Sequence, residues 1–371
     1  MVNPTSTVDA QRRRTAIIES IDQATPAWLT GTLQAAGALH QGEVTEVTSD
    51  LMNVGQLGLV ARLNLAYDSA ESDAPSSVML KLPSTDAGSR GISVSLGFYE
   101  AEVGFYQQIA STVGVRIPLV YQADIEPETG RFTLLLEDLS PIAAPGDMIA
   151  GGTVEQAARA LDGLTTLHAP RWSDPSLAAL TWLANPQRLQ GFFAGVEPML
   201  PNFLERFGDR LDSRDVALAE QAAPHANSWA ERTNQGRKTV LHGDYRMDNV
   251  FFPTVPDQPV AVIDWQVAQL GPPLIDVAVY LGGCLSLEDR RRHERDLLQR
   301  YQDGLVSGGV TDFSFDDAWE SYRWCAFYGF MLSIPMAVQL ERSDRGDALF
   351  AGMFAAYAHQ VRDLDSMELL K

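Results

Sequence analysis

Three polar residues at fixed spacing stand between two apolar runs in the second half of the chain. His242, Asp244 and Asn249 lie in the stretch His-Gly-Asp-Tyr-Arg-Met-Asp-Asn, which follows Thr-Val-Leu and precedes Val-Phe-Phe. A second carboxylate, Asp264, ends the short β-branched run at residues 260–263. A carboxylate that accepts a hydroxyl proton, with an amide oxygen and a second carboxylate to hold Mg²⁺, is the set that phosphoryl transfer requires. The residues therefore indicate a phosphoryl-transfer centre.

Each of these residues can be given one role in that chemistry. Asp244 would orient the attacking hydroxyl and accept its proton, Asn249 and Asp264 would hold the metal, and His242 would brace the loop. The alternative is a surface turn with a few polar residues between two buried strands. Three fixed residues of about 5% abundance each match by chance in roughly 1 of 8,000 windows, so the spacing favours the catalytic interpretation.

A lysine in an apolar strand needs an anionic partner. Lys81 lies in the apolar run at residues 78–82, and either nucleotide phosphates or a helix glutamate could pair with it. Glu102 follows Phe98 by four residues and shares its apolar helix face, so we expect it to point inward toward Lys81. Glu100 lies elsewhere on the helix and is expected to be solvated. The alternative is an edge-strand lysine that keeps its amine in water.

The stretch from His242 to Asn249, together with Ile-Asp-Trp at residues 263–265, resembles the aminoglycoside phosphotransferase/choline kinase-like superfamily. The Tyr-Arg-x-Asp-Asn form is similar to the branch of ecdysteroid-kinase-like and bacterial phosphotransferase-family proteins, and the resemblance covers roughly residues 50–283. It implies an α+β, two-lobed protein-kinase-like fold. The small N-terminal lobe, residues 1–140, would hold an antiparallel sheet and one key helix. The larger, mostly helical C-terminal lobe would be residues 141–371.

The same resemblance implies that ATP binds between the lobes with Mg²⁺ and that Lys81 holds the α- and β-phosphates. Gly55 and Gly58 stand where a hairpin would cover the phosphates with backbone N–H groups. Two glycines are few for such a loop, and an ordinary hairpin turn explains them about as well. The run ending at Glu137 and Leu139 looks like the hinge of the family, where backbone groups would meet adenine.

Composition excludes several classes of partner and location. The chain has 371 residues and a formal net charge of −20, with only short arginine runs at residues 12–14 and 290–292, so nucleic acid is not an expected partner. There is no apolar run of about 18 residues for a membrane span and no apolar segment of a signal peptide. Cys284 and Cys325 lie in apolar surroundings and are expected to be free thiols in a reducing cytoplasm. The sequence leaves the oligomeric state open.

Several elements and structural residues can be predicted from periodicity and capping. His168 is expected to be a core histidine and not a ligand. Asp276 is expected to cap a helix and to brace the catalytic loop. The predicted elements are helices at about 10–23, 26–38 and 98–109, strands at 115–121 and 132–139 joined by a turn at 126–130, a helix capped by Thr153 that runs to about 167, and further helices in 175–236 and 286–371.

We therefore expect an ATP- and Mg²⁺-dependent kinase that phosphorylates a hydroxyl of a small molecule. The alternatives are a nucleotide-binding regulatory pseudokinase and an aminoglycoside-type antibiotic kinase. A protein kinase is disfavoured because the chain lacks Gly-x-Gly-x-x-Gly-x-Val, Asp-Phe-Gly and Ala-Pro-Glu motifs. A metal hydrolase built on His242 and Asp244 is disfavoured because companion histidines are missing.

The acceptor site is expected in residues 175–236 and 286–360. Eight aromatic residues there are candidates for its walls: Trp182, Phe192, Phe193, Trp229, Tyr322, Trp324, Phe327 and Tyr328. At least half of those aromatic residues should simply build the helical core. A polycationic aminoglycoside would need many carboxylates, and the stretch 190–203 offers only Glu197. The sequence therefore favours a less charged, partly apolar alcohol, such as a sterol-like, sugar-like or amino-alcohol metabolite.

Overall fold

The computed structural model describes residues 15–55, 57–69, 73–255, 257–339 and 344–370. These residues form two compact units, one within Met1–Val103 and Pro118–Asp138, the other within Gly104–Ile117 and Leu139–Lys371. The mixed α+β class that the resemblance implies is confirmed, with an antiparallel sheet in the N-terminal region and a mostly helical C-terminal part. The lobe boundary at residue 140 stays a prediction.

The first unit is built on one five-stranded sheet in which every pair of neighbours is antiparallel. Its strand order is β1-β2-β3-β5-β4, so β5 lies between β3 and β4, and β4 is an edge strand. The strands are β1 (Val44–Gly55), β2 (Gly58–Tyr67), β3 (Ser77–Pro83), β4 (Val120–Glu126) and β5 (Arg131–Glu137).

A helix covers one face of this sheet. Helix α1 (Pro26–Ala36) begins after Thr25, whose side chain accepts a hydrogen bond from the N–H of Trp28, and ends at Gly37 with φ of 74°. Its buried residues Leu29 and Leu33 belong to the same apolar cluster as the inward-facing residues of β2 and β3. The helix predicted at about 26–38 is therefore confirmed.

The helix predicted at about 10–23 is wrong where the structure describes it. Residues 10–14 lie outside the described residues, residues 15–19 are not helical, and only a 3₁₀ turn forms at Ile21–Gln23. The cause is pairing with the sheet. The N–H of Ile18 donates to Oγ1 of Thr133 at 2.8 Å, and that hydroxyl donates back to the Ile18 carbonyl at 2.9 Å. These bonds hold the backbone of Ile18 against β5.

Two helices follow β3, namely α2 (Ala87–Ser95) and α3 (Phe98–Gly104). After α3 the chain continues as a π-helical turn, Phe105–Ile109, where the sequence predicts an unbroken α-helix. The strand predicted at 115–121 is also mostly wrong, because β4 begins only at Val120. The predicted turn at 126–130 is present, with Gly130 at φ of 65°.

The second unit is mostly helical and carries two small sheets, ordered β10-β7 and β6-β8-β9. Helix α4 (Val154–His168) begins at the predicted cap residue Thr153, which forms a capping box with Gln156. The strands are β6 (Ala143–Pro145), β7 (Thr239–Leu241), β8 (Val250–Pro253), β9 (Ala261–Val262) and β10 (Gln269–Gly271). The helices are α4 (Val154–His168), α5 (Pro186–Ala194), α6 (Val196–Phe207), α7 (Ser213–Ala222), α8 (Ala226–Thr233), α9 (Leu274–Cys284), α10 (Leu287–Ser307), α11 (Phe315–Gln339) and α12 (Asp344–Asp363).

Helix α9 is the buried centre of this unit, and small residues let its neighbours approach closely. A Cβ atom on Gly282 would lie 2.8 Å from the ring of Tyr357 in α12, and one on Gly329 in α11 would lie 2.7 Å from the same ring. Substitution of either glycine would push these helices apart. No helix within the described residues has the length and apolar character needed to cross a membrane.

Candidate active site

The lysine and glutamate predicted to pair do so within the first unit. Lys81 on β3 places its Nζ 2.8 Å from the carboxylate of Glu102 on α3. Glu102 is 1% exposed, so its charge depends on this partner. Glu100 is half-buried. The spacing argument thus selects the correct glutamate, while the part that Lys81 plays with phosphate stays a prediction.

The two glycines assigned to the phosphate-covering hairpin flank the turn between β1 and β2 and face each other in its register. A Cβ atom on Gly58 would lie 3.1 Å from the carbonyl oxygen of Leu82 on β3. The close approach of β3 therefore favours glycine at position 58, whether or not phosphate binds there. Its contact with phosphate, like that of Gly55, stays a prediction.

The residues assigned to adenine are held by local backbone bonds. In the first unit, the N–H of Glu137 donates to the carbonyl of Leu119 at 2.8 Å, and the Glu137 carboxylate accepts from the N–H of Leu119 at 2.9 Å. In the second unit, the carbonyl of Leu139 accepts from the N–H groups of Ile142 and Ala143 at 3.0 and 2.9 Å. Both backbone segments are thereby fixed.

The loop that carries Asp244 leaves β7 through a turn that only glycine fits. Gly243 has φ of 83°, and a Cβ atom there would lie 2.5 Å from the carbonyl oxygen of Val267. The fully buried carboxylate of Asp276 accepts the N–H of His242 at 2.7 Å and that of Gly243 at 2.8 Å. Two charge-assisted bonds therefore fix the backbone just before Asp244.

Asp276 braces the loop as predicted, but it does not cap its helix. The N-cap position of α9 is Pro273, and Asp276 is the third helical residue, with its carboxylate turned toward the catalytic loop. His168 is a fully buried core histidine as predicted. Its Nδ1 lies 2.7 Å from the Tyr301 hydroxyl and its Nε2 lies 3.3 Å from the Asp276 carboxylate. His168 therefore helps to hold the Asp276 carboxylate in position.

His242 joins the loop to the segment that carries Asp264. Its Nε2 lies 2.8 Å from the carbonyl of Ile263, which can only accept, so Nε2 carries the proton. Its Nδ1 then accepts the N–H of Asp244 at 3.3 Å. The imidazole is therefore a structural connector, since both of its nitrogen atoms are engaged in holding backbone.

Asp244 and Asn249 form one hydrogen-bonded unit. The Asn249 amide nitrogen donates to the backbone carbonyl of Asp244 at 2.9 Å and to its Oδ2 at 3.1 Å. Both partners are acceptors, which orients the amide and assigns its carbonyl oxygen as the atom that could bind a metal.

Desolvation raises the pKa of Asp244, and the positive charge of Arg246 opposes that rise. The Asp244 side chain still exposes 40% of its surface, so a bound molecule could reach the carboxylate.

Asp264 follows β9 with φ of 66°, a left-handed conformation that is uncommon for any residue except glycine. The N–H of the preceding Ile263 donates to the carbonyl of Asn249 at 3.1 Å, which brings the two segments together. The charge of Asp264 also contributes to the raised pKa of Asp244. The second unit thus gathers Asp244, Asn249 and Asp264 in one place, with the hard oxygen donors that suit Mg²⁺.

An aromatic stack supports these residues, and the sequence did not reveal it. The rings of Phe105 and Trp265 are parallel within 5° at 3.6 Å, and Trp265 lies 4.7 Å from the ring of His242. The π-helical turn places Phe105, and it follows Gly104, where a Cβ atom would lie 2.7 Å from the ring of Trp182. The signal in the sequence was the aromatic residue directly after Asp264.

Arg246 is a second residue of the site that the sequence did not single out. Its Nε lies 3.1 Å from Oδ2 of Asp244, and its Nη1 lies 3.6 Å from Oδ2 of Asp248. Both carboxylates raise the pKa of Arg246. The feature of the sequence that could have identified Arg246 is its position in the Tyr-Arg-x-Asp-Asn stretch of the loop.

Most of the aromatic residues assigned to the acceptor region build the core, as expected. Six of the eight are buried, while Phe192 and Trp324 are partly exposed. The buried six are Trp182, Phe193, Trp229, Tyr322, Phe327 and Tyr328.

Comparison with curated proteins finds short matches to much longer chains. One is 46% identical over 44 residues to acyl-CoA dehydrogenase family member 10 of Mus musculus, covering 12% of this chain and 4% of that protein. Another is 29% identical over 90 residues to the Arabidopsis thaliana protein named Probable acyl-CoA dehydrogenase IBR3, covering 21% of this chain and 11% of that protein. The chain thus spans only a small part of these relatives.

Solved structures show a similar fold at low sequence identity. A microcompartment-associated aminopropanol kinase aligns with a TM-score of 0.50 and 14% identity, covering 88% of this chain and 95% of that one. Choline kinase from Cryptosporidium parvum aligns at 0.50 and 8%, covering 88% of each chain. A GDP complex of an aminoglycoside 2′-phosphotransferase variant aligns at 0.51 and 12%, covering 93% and 96%.

A family model matches residues 92–324 and is described as the phosphotransferase enzyme family. The match begins before Glu102 and extends beyond Asp264. It therefore includes the loop and strand end that hold Asp244 and Asn249. Because it covers well over half of the 371 residues, the chain belongs to the phosphotransferase enzyme family.

Proposed function

We propose that the protein is an ATP- and Mg²⁺-dependent kinase that transfers the γ-phosphoryl group of ATP to a hydroxyl of a small molecule. The observation that carries this proposal is the convergence of Asp244, Asn249 and Asp264 on one catalytic loop and its neighbouring strand end. Family membership and the buried pair of Lys81 with Glu102 support it.

Asp244 is the proposed catalytic base. The hydroxyl oxygen of the acceptor forms a bond to the γ-phosphorus, the bond from that phosphorus to the bridging oxygen of ADP breaks, and the hydroxyl proton passes to Asp244. The raised pKa suits this role, because a carboxylate with a higher pKa is a better proton acceptor. The exposed part of the side chain gives the acceptor access.

Asn249 and Asp264 are the proposed metal ligands. The carbonyl oxygen of Asn249 and the carboxylate of Asp264 would hold Mg²⁺, which neutralises phosphate charge when bound. Among the described residues no group of three or more His, Cys, Asp or Glu side chains forms a metal cluster. In this proposal the remaining ligands come from nucleotide phosphate and water, as is usual for Mg²⁺.

The nucleotide is proposed to contact the first unit through Lys81, oriented by Glu102, at the α- and β-phosphates. The backbone at Gly55 and Gly58 would contact phosphate, and the backbone near Glu137 and Leu139 would contact adenine. The GDP complex of a similar fold supports nucleotide binding. The two free, buried cysteines fit a reducing cytoplasm as the place of reaction.

For the acceptor we propose an alcohol of low positive charge. Two carboxylates of the second unit that could bind a polycation, the buried Asp215 and the half-buried Asp347, are each paired with an arginine. Asp347 lies 2.5 Å from Arg206, and Asp215 pairs with Arg362 in the same way. An aminopropanol kinase and a choline kinase have a similar fold, and both aminopropanol and choline fit this class. A regulatory, non-catalytic nucleotide-binding protein is the alternative.

Replacement of the base provides the test. Asp244→Asn keeps the size of the side chain and its contact with Asn249, but it removes the proton acceptor. We expect ATP affinity to stay near wild type while phosphoryl transfer falls by roughly 10²–10⁴. ADP release measured against a panel of alcohols, with ATP affinity from calorimetry, gives both quantities.

Wild-type turnover in Asp244→Asn would overturn the assignment of the loop. A wild-type protein that binds Mg·ATP but consumes none with any alcohol on the panel would favour the regulatory alternative.

A further inference from the structure

A hydrogen-bond donor and a cation both lie beside a single oxygen of the Asp244 carboxylate: Asn249 donates a hydrogen bond, and Arg246 forms an ion pair without one. The Asn249 amide nitrogen lies 3.1 Å from Oδ2, and Nε of Arg246 lies 3.1 Å from the same atom. Within the described residues, Oδ1 of Asp244 takes part in no hydrogen bond or ion pair. A carboxylate whose Oδ2 is held from two directions has a fixed rotamer, and it then presents Oδ1 to the acceptor.

The arginine is itself held in place. Its Nη1 lies 3.6 Å from Oδ2 of Asp248, and Oδ1 of Asp248 accepts the N–H of Met148 at 3.1 Å. Asp248 is thus tied to the turn after β6, and it places the guanidinium beside Asp244. The chain of contacts runs from Met148 through Asp248 and Arg246 to the proposed base.

A stabilising surface ion pair is the alternative explanation. Arg246, Asp244 and Asp248 each expose about two fifths of their side chains, at 39%, 40% and 45%. Pairs exposed to this degree contribute little to folding. The position of this pair on the proposed base, and the planar fork of an arginine that fits two carboxylates at once, favour a role in the reaction.

We propose that Arg246 is a positioning residue that fixes the Asp244 carboxylate, with Asp248 holding Arg246 in turn. This inference rests on the proposed kinase function. Arg246 acts only through Asp244 and does not bind the nucleotide or the metal. Its loss therefore lowers the rate of transfer without weakening nucleotide binding.

The test is a double-mutant cycle with Mg·ATP and water as the phosphoryl acceptor, because slow ATP hydrolysis needs no identified alcohol. We expect Arg246→Met to lower kcat by roughly 10- to 100-fold, as misplaced catalytic groups do, and to leave KM for ATP within about twofold. Asp248→Asn, which loosens only the arginine, should lower kcat by a smaller factor. In the Asp244→Asn background, Arg246→Met should change the residual rate by less than about twofold.

Arg292→Met is the matched control, since Arg292 pairs with Glu288 at 2.8 Å on the surface of α10 and should leave kcat unchanged. If Arg246→Met lowers the rate by the same factor with and without Asp244, the arginine acts independently and the proposal is wrong. A rise in KM for ATP in Arg246→Met would also overturn it.

Crystal structures separate this inference from the kinase proposal. If the wild-type protein hydrolyses no ATP, the proposed function fails, yet the Asp244 side chain should still leave its wild-type rotamer in Arg246→Met and Asp248→Asn. An unchanged rotamer in both variants would refute the positioning role whatever the activity. Arg246→Lys, which keeps the charge but not the fork, should recover only part of the kcat.

Discussion

Asp264 is the residue at which a single substitution tests metal binding most directly. Its carboxylate is the only full negative charge among the two proposed ligands. We expect Asp264→Ala to weaken Mg²⁺-dependent ATP binding by at least about tenfold, because an anion that would bind the metal directly is lost. Calorimetric titration of ATP with Mg²⁺ and with a chelator gives the comparison. Equal affinities in wild type and variant, both in Mg²⁺, would remove Asp264 from the site.

The two cysteines should be inert while the protein is folded. Burial raises the pKa of Cys325 to about 12, and burial also raises the pKa of Cys284. A raised pKa keeps the thiol protonated at pH 8, and the thiolate is the reactive form. We expect iodoacetamide at pH 8 to modify neither cysteine until denaturant unfolds the chain. Mass spectrometry after timed quenching measures this, and rapid labelling of the native protein would contradict the burial of these thiols.

At the scale of residues, the sequence predicts those whose partners lie at a fixed distance along the chain. Asp244 and Asn249 belong to one loop, and Glu102 could be assigned by helical phase alone. Arg246 could not be assigned, because its role depends on the direction of a long, flexible side chain. The function of the Asp276 carboxylate was predicted only in part, since a helix-start position suggests a cap as readily as a brace.

Among the elements, the stack of Phe105 on Trp265 makes the clearest energetic prediction. Trp265 is fully buried, and its indole N–H has no hydrogen-bond partner within the described chain. Trp265→Phe removes this unsatisfied donor and retains a ring. We therefore expect the free energy of unfolding to change by less than about 1.5 kcal/mol.

Trp265→Ala, by contrast, should lower the free energy of unfolding by about 3–5 kcal/mol, because it leaves a cavity beneath His242. Urea titrations of the two variants and wild type provide the measurement. Similar large losses for both substitutions would show that the indole nitrogen makes a bond that the structure does not contain.

Elements with strong caps or periodicity were predicted well, while elements controlled by distant contacts were not. Thr153 starts α4 as expected because its capping box is local. Residues 15–19 were predicted to be helical and are not, and Thr133 bonds the backbone of Ile18 from more than a hundred positions away. The π-helical turn at Phe105–Ile109 was also missed; its first residue stacks on Trp265, which lies far along the chain.

For the whole molecule, the main prediction concerns the acceptor. The net charge of −20 would attract a polycation at long range, but the paired carboxylates of the second unit argue against a dense anionic pocket. We expect an ADP-release screen to show turnover with neutral alcohols, sugars, hydroxylated steroids or choline-like amino alcohols. Kanamycin-type aminoglycosides should be poor substrates. Efficient turnover of aminoglycosides alone would reverse this preference.

The fold could be predicted because one short motif indicates a superfamily and hence an architecture. The identity of the acceptor could not be predicted in the same detail as the fold. The walls of its site are expected in helices α5 to α8 and α10 to α12, which are far apart in the chain and carry no motif. Aromatic content indicated where those helices pack but not which of their faces remains open, since six of the eight candidate aromatic residues are buried in the core.

The left-handed backbone at Asp264 has an evolutionary consequence. With φ of 66°, the backbone at this position is unstrained for glycine, slightly strained for asparagine or aspartate, and strongly strained for β-branched residues. The strain belongs to the fold and persists even if selection for the carboxylate is relaxed. A descendant that abandoned metal binding would therefore drift to glycine or asparagine here and not to valine, isoleucine or threonine. Glycine in place of Asp264, beside an intact Gly243, would mark such a lineage in a sequence.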